Sequence, residues 1–200
     1  MARLTAEDRR ALLVEAALTV MARDGVAAAT TRSICAEAAM PQSAFHYAFR
    51  SKAELLQRIT EISVGTITAD LDRRALDGKD LRDTLVAAMD LIHESIVVDA
   101  PRQMVVYELT LLDMRAPDDP GSLGRWQYSL YTQRAASLLA SVAEHADVRW
   151  TVDLHALARL VATAVDGTAL AWLADRDSDA SRASLHVLAD ALVALAEPMS

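Results

Sequence analysis

Apolar positions recur at helical spacing along nearly the whole chain. Leu12, Leu13, Ala16, Ala17 and Val20 share one face of a first helix over roughly residues 6–24, and Gly25 follows where a terminating glycine is expected. Thr30 or Thr31 can cap a short second helix across Ser33–Ala38. The turn Ala39-Met40 leads to Pro41, a favoured first-turn residue of a third helix that runs to about Phe49. Ser51 to Glu54 reads as a capping box, so a fourth helix starts at Ser51. Its apolar positions Leu55, Ile59, Ile62, Ile67 and Leu71 carry it to about residue 76, and Asp77-Gly78 ends it.

The pattern then predicts five more helices: Leu81–Val98, Arg102–Arg115, Leu123–His145, Val152–Ala174 and Ala183–Leu195. The fold class is therefore all-α, with about nine helices. Short helix, tight turn and short helix across residues 31–49 make a helix-turn-helix candidate, although small helical bundles share that spacing. The division falls inside the fourth helix, where no flexible linker is visible. An N-terminal three-helix helix-turn-helix domain (1–58) precedes a C-terminal helical ligand-binding and dimerisation domain (59–200).

Composition supports long helices, because only 6 Gly and 5 Pro interrupt 200 residues. The net charge of −8 argues at first against nucleic acid, but its distribution does not. Residues 1–58 carry eight Lys/Arg against six acids, net +2, while the rest carries −10. A mildly basic head on an acidic body suits a local DNA contact better than DNA wrapping. The single Cys35 cannot form an internal disulfide and fits a reducing cytosol. The first residues lack an apolar signal core, and charges interrupt every apolar stretch, so no membrane partner and a cytoplasmic location are expected.

The segment "TTRSICAEAAMPQSAFHYAFRSKAELL" resembles the head of the TetR (tetracycline repressor) family of transcriptional regulators. Thr30, Thr31, Ile34, Ala38, Tyr47, Phe49, Ser51, Lys52 and Leu55 sit in matching places. The resemblance extends over roughly residues 8–58, and "VDGTALAWLADRD" further on is similar to the family's penultimate helix, which pairs across a dimer. It implies a sequence-specific repressor released from a near-palindromic operator by a small molecule. The chain departs from the pattern at Ala39 in place of Gly, at Pro41 in place of Ser, and at His46 in place of Tyr. Tyr at the His46 position usually touches a phosphate in the family. Imidazole can still donate one hydrogen bond there.

The residue chemistry fits a DNA contact. Gln42 can pair bidentately with adenine, Ser43 is small and polar, and the Ala44 methyl can meet a thymine methyl. Phe45 and Phe49, four apart, should face inward. Tyr47 should point outward to a phosphate. Lys52 adds charge beside helix N-terminal N–H groups, and Thr31 and Arg32 are phosphate candidates on the same logic. As alternatives, Thr31 is simply a cap and Arg32 and Lys52 are solvated surface charges.

In the body, the last two helices are apolar on two sides. One carries Leu154, Leu157, Leu160, Val161, Ala164, Val165, Ala169 and Trp172, and the other Leu185, Leu188, Leu192 and Leu195. A homodimer with a four-helix interface would bury both sides. His93, Tyr107, Glu108, Trp126, Tyr128, Tyr131, Gln133 and Asp166 place polar and aromatic groups among apolar ones. Pockets between helices have this character, as do ordinary boundary residues. Tyr107, Glu108, Trp126 and Tyr131 are the candidate ligand-binding residues. Cys35 should pack as a small core residue. No catalytic set, metal-ligand spacing or cofactor loop stands out, so neither an enzyme nor a cofactor is expected. The competing class is a helical small-molecule binder or enzyme without DNA binding.

Overall fold

The computed structural model describes residues 5–51, 54–59, 61–62 and 80–199. The predicted course of the fourth helix beyond residue 62, its end at Asp77-Gly78, and Lys52 lie outside them. Two compact units emerge: Met1–Ser63 with Pro101–Gly124, and Val64–Ala100 with Arg125–Ser200.

The first unit is the head. Helix α1 (Ala6–Asp24) opens on a capping box in which Thr5 accepts from the Asp8 N–H and the Asp8 carboxylate accepts from the Thr5 N–H. Gly25 ends it at φ 85°, which only glycine adopts without strain. After a 3₁₀ turn (Val26–Ala28), helix α2 (Thr31–Glu37) is capped by Thr30, which exchanges hydrogen bonds with Ser33. Helix α3 (Gln42–Ala48) starts after Pro41, whose side chain caps nothing. Residues 54–59 and 61–62 are helical and are labelled α4. The Ser51 hydroxyl accepts from the Glu54 N–H, and Glu54 reaches back to the Arg50 N–H rather than to that of Ser51.

These helices enclose one apolar core that includes Leu13, Val14, Met21, Ile34, Phe45, Phe49, Leu55 and Ile59. Cys35 is buried there as expected, and burial pushes its thiol above the ordinary range. Leu12 is an exception to the predicted face, being 44% exposed. Helix α6 (Ala100–Asp113) also belongs to this unit, and its Val105 and Leu109 lie in the head's core.

Between α2 and α3 the chain makes a Schellman turn. Met40 N–H donates to Cys35 C=O at 2.8 Å, Ala39 N–H donates to Ala36 C=O at 3.1 Å, and Ala39 takes φ 52°. An alanine there costs about 1–2 kcal/mol, and glycine's larger unfolded-state entropy returns about 0.4–1 kcal/mol of the gain. Ala39→Gly should therefore raise head stability by about 0.5–1 kcal/mol in denaturant unfolding. A destabilised Ala39→Gly protein would contradict the strain.

Three head carboxylates are held below their ordinary range: Asp8 by the Thr5 hydroxyl and N–H, Asp24 by Arg23, and Glu54 by the Arg50 N–H and then by Arg10. Each pKa is lower in the folded head than in the unfolded chain. The stability they contribute is thus complete above the usual carboxylate value near pH 4 and is lost as pH falls through the lowered values. Acid unfolding of the head should begin below about pH 4, and Glu54→Gln should flatten that dependence in circular dichroism titrations.

In the second unit, α5 (Leu81–Val98) and α8 (Leu154–Asp175) both pack on α9 (Ser178–Val193), and α7 (Ser122–His145) contributes Leu139 and Val142 to the buried set. Across α5 and α9, Arg82 pairs with Asp190 at 2.8 Å and His186 with Asp90 at 2.9 Å. The α9 helix begins five residues before the predicted Ala183, because the Asp177 side chain caps it. Pro101 lies in the first turn of α6 instead of only closing α5. Two short strands were not predicted: β1 (Val148–Trp150) pairs antiparallel with β2 (Ala196–Pro198) and ties the C-terminal tail to the α7–α8 connection. The Trp150 indole fixes this ribbon to α7 by donating to the Leu139 carbonyl at 3.0 Å.

Candidate nucleic-acid interface and effector region

The α3 helix is held from behind. Phe45 and Phe49 are 3% and 1% exposed, with ring centroids 5.7 Å apart, and Arg10 lies over the Phe49 ring at 5.0 Å. The same Arg10 pairs with Glu54 at 2.7 Å. The opposite side of α3 is open. Gln42, Ser43, His46 and Tyr47 are all exposed, Tyr47 at 87%. At 100° per residue they span an arc of about 140°, one face of the helix. Ala44 does not join them. It is buried, so the expected meeting of its methyl with a thymine finds no support in its placement.

At the start of α2, Thr31 is half-buried and Arg32 exposed. Several head arginines are neutralised internally: Arg23 by Asp24 and Glu37, Arg58 by Glu7 and Glu61, and Arg102 by Glu15. Among the described residues Arg32 and Arg50 form no ion pair, and both are exposed. Arg50, just past α3, is a phosphate candidate that the residue-by-residue reading missed. Only its position after the helix could have pointed to it. With α2 and α3 packed together, the head offers a polar helix face with uncompensated cations beside it. That arrangement suits base edges in a groove flanked by phosphates.

The candidate effector residues have different surroundings. Glu108, expected in a pocket, lies on α6 in the head unit and accepts a hydrogen bond from the Val26 N–H at 3.3 Å. Tyr107 beside it is half-buried on the same helix, as is Trp126 on α7. Tyr131 lies in a polar cluster of the second unit. Its hydroxyl accepts from Gln127 Nε2 at 2.9 Å, and its ring meets that of Tyr128 edge-on at 5.8 Å. The Tyr128 hydroxyl donates to Asp166, and the Arg159 guanidinium lies over the Tyr128 ring at 5.1 Å. Burial and the bond to Asp166 push the Tyr128 phenol up to about 12, and burial pushes Tyr131 up as well, so both remain neutral donors. Asp166 and Tyr128 were visible in the sequence as polar residues among apolar ones, but only the fold joins them to Tyr131.

On α5, His93 is 2% exposed, and neither ring nitrogen has a hydrogen-bond partner among the described residues. No three His, Cys, Asp or Glu side chains gather as around a metal ion among the described residues.

The last two helices show a second, exposed apolar stripe. On α8 it runs through Ala156, Leu160, Thr163, Gly167, Leu170 and Ala174, at alternating spacings of three and four. On α9 it includes Ala180, Ser184, Val187 and Ala191. Leu160, Leu170 and Val187 are 54%, 52% and 67% exposed. By length and composition α8 is apolar enough to cross a membrane, but its apolar residues divide between this stripe and the packed face of Leu157, Val161, Ala169 and Trp172. A hollow of about 350 Å³ lies between the two helices, floored by small residues such as Gly167, Ala171 and Ala180.

Comparison with known proteins gives three concordant findings. The family model "Bacterial regulatory proteins, tetR family" matches residues 13–59. The HTH-type nicotine-responsive transcriptional repressor HdnoR of Paenarthrobacter nicotinovorans is 30% identical over 173 residues, 86% of this chain and 88% of the relative. Among solved structures, a TetR-family transcriptional regulator from Syntrophomonas wolfei superposes with a TM-score of 0.78 at 12% identity, over 94% of this chain and 96% of that one. The transcriptional regulator FadR of Bacillus subtilis, in complex with stearoyl-CoA, gives 0.70 at 15% identity, over 90% and 96%.

Proposed function

Because the chain belongs to the TetR family of bacterial regulatory proteins, DNA-binding transcriptional regulators, we propose that it is a dimeric cytoplasmic repressor released from its operator by a small organic effector. The observation that carries the DNA-reading part is the exposed α3 face, with Gln42 and Ser43 for bases and His46 and Tyr47 for phosphates, and with Thr31 and Arg32 at the start of α2 as further phosphate candidates. Lys52, outside the described residues, is a phosphate candidate on its sequence position alone. Residues 1–58 hold that reading surface. Residues 59–200 hold the effector and dimer surfaces, with α6 reaching back into the head's core.

The exposed α8 and α9 stripes support a homodimer, since two copies would close a four-helix interface over them. A twofold dimer places its recognition helices about 34 Å apart, which matches a near-palindromic operator. Effector binding is supported by the nicotine-responsive relative and by His93. A buried polar group left unpaired costs about 1–3 kcal/mol, which a hydrogen-bonding ligand would offset. This function requires no catalytic step.

The test is selection of genomic fragments by the purified chain, followed by binding of the selected operator. Gln42→Ala should change preference at one base position by about 1–3 kcal/mol, whereas Tyr47→Ala should weaken all sequences alike. If neither variant alters DNA retention, the DNA-reading role of α3 is wrong. Nicotine is the first effector probe, because the relative responds to it.

A further inference from the structure

We propose that Glu54 is a positioning residue for DNA binding: it holds the corner between α3 and α4 so that the Arg50 guanidinium meets a DNA phosphate. This rests on the reading of α3 given above.

The head contains two capping boxes, and they differ by one residue in reach. At α1, Thr5 accepts from the Asp8 N–H, and the Asp8 carboxylate takes the N–H of Thr5 itself. At α4, Ser51 accepts from the Glu54 N–H in the same way. Glu54 is one methylene longer than Asp8. Its Oε2 passes Ser51 and takes the N–H of Arg50 at 2.8 Å. Its Oε1 pairs with Arg10 of α1 at 2.7 Å, and Arg10 lies over the Phe49 ring. One carboxylate thus ties α1 and the start of α4 to the residue two places past α3.

The consequence falls on Arg50. Phe49 leaves α3 in extended geometry, φ −134° and ψ 133°, with its side chain buried in the core. The Arg50 backbone is therefore fixed twice, by Phe49 before it and by Glu54 at its own N–H. The Arg50 N–H, and then Arg10, hold the Glu54 carboxyl below the usual carboxylate range, so it remains an acceptor near neutral pH. The Arg50 side chain is exposed and forms no ion pair among the described residues. A guanidinium matches phosphate oxygens, and one carried on a fixed backbone loses less freedom on binding than one on a loose corner. Without the Glu54 bond the Arg50 N–H would turn to water. The fold would survive, and the aim of the side chain would be lost.

The experiment measures binding over a salt series to the fragment that the purified chain selects and to a mixed-sequence duplex. Two substitutions separate reach from charge. Glu54→Asp keeps the charge but falls short of Arg50, reverting to the Ser51 N–H as Asp8 does at Thr5. Glu54→Gln keeps the reach and loses the charge. Glu54→Asp should weaken binding to both duplexes about five- to tenfold and reduce the salt slope by about one, as Arg50→Ala should. Glu54→Gln should stay within about threefold of wild type with its slope kept. In the double variant Glu54→Asp/Arg50→Ala the two losses should not multiply, because both remove one contact. A merely structural Glu54 would lower the melting temperature and leave the slope unchanged. The proposal is overturned if Glu54→Asp keeps the wild-type slope, if Glu54→Gln loses as much as Glu54→Asp, if Arg50→Ala leaves the slope unchanged, or if the losses multiply. Should Glu54→Asp fail to fold, judged by thermal melting, hydrogen exchange at the wild-type Arg50 amide decides together with Arg50→Ala. Slow exchange with a reduced slope supports the proposal, and fast exchange or an unchanged slope ends it. Tyr47→Ala in the same series separates the two readings. If Tyr47→Ala weakens binding and Arg50→Ala does not, the corner is lost and the α3 reading stands; if neither does, both fall.

Discussion

Gly167→Arg should leave the fold intact and cost the protein its operator. Gly167 lies exposed in the middle of α8, and a Cβ built there meets nothing within 4 Å. Within one chain the arginine has open space. Replacing a helical glycine by a good helix former gains up to about 1 kcal/mol. Any loss therefore comes from outside the chain. In a dimer built on the α8 and α9 stripes, the small residues Thr163, Gly167, Ala171 and Ala180, which line the hollow between the two helices, would let two backbones approach closely. A guanidinium there blocks that approach and would be buried without a partner. The monomer then engages one half-site at a time. Linking two binding modules is worth a factor of about 10²–10⁴, so operator affinity should fall at least 100-fold. Sedimentation should show a monomer whose melting temperature is unchanged or higher. A dimer that persists in Gly167→Arg would remove α8 from the interface.

Phe49→Ala should unfold the head. The Phe49 side chain is among the largest that are fully buried, and it joins Phe45 of α3 to Arg10 of α1 just before α4 begins. Truncating a buried phenylalanine costs about 3–5 kcal/mol, which is a large part of the roughly 5–15 kcal/mol that holds a typical domain. Calorimetry should show an early transition for the head, with operator binding lost at temperatures where the α5, α8 and α9 unit is still folded. Tyr47→Ala is the contrast. Tyr47 is 87% exposed, so its loss should move stability by less than about 0.5 kcal/mol while still weakening DNA binding. If both variants reduce DNA binding only through stability, Tyr47 makes no phosphate contact.

Much of the head was legible because its signals are local. Thr30 caps α2, Phe45 and Phe49 face inward, and Ala39 takes the positive φ that its place in the turn demands. Each of those follows from residues within a few positions of one another. The failures are non-local or marginal. Ala44 lies on an arc between the open and the packed side of α3, and only the packing of α3 in the head decides which side wins. Strands β1 and β2 are three residues each, too short for alternation to register, and their pairing spans the length of α8 and α9. Glu108 reads as a polar residue in an apolar helix, and its role depends on a backbone N–H 82 positions away. The Tyr128–Asp166 hydrogen bond is similar: its partners are 38 apart, and helical periodicity carries no information about which helices adjoin.

Helix α6 bears on how such regulators can be recombined. A graft that moves residues 1–58 onto another regulator's body would carry the reading face but leave behind Val105 and Leu109 in the core, the Glu108 bond to Val26 and the Arg102 pair with Glu15. The transplanted piece would have a hole where α6 had been. The compact unit is discontinuous, residues 1–63 together with 101–124, so a working graft should include both segments. Chimeras cut at the obvious sequence boundary should express poorly, and those that exchange both segments should keep the donor's operator preference.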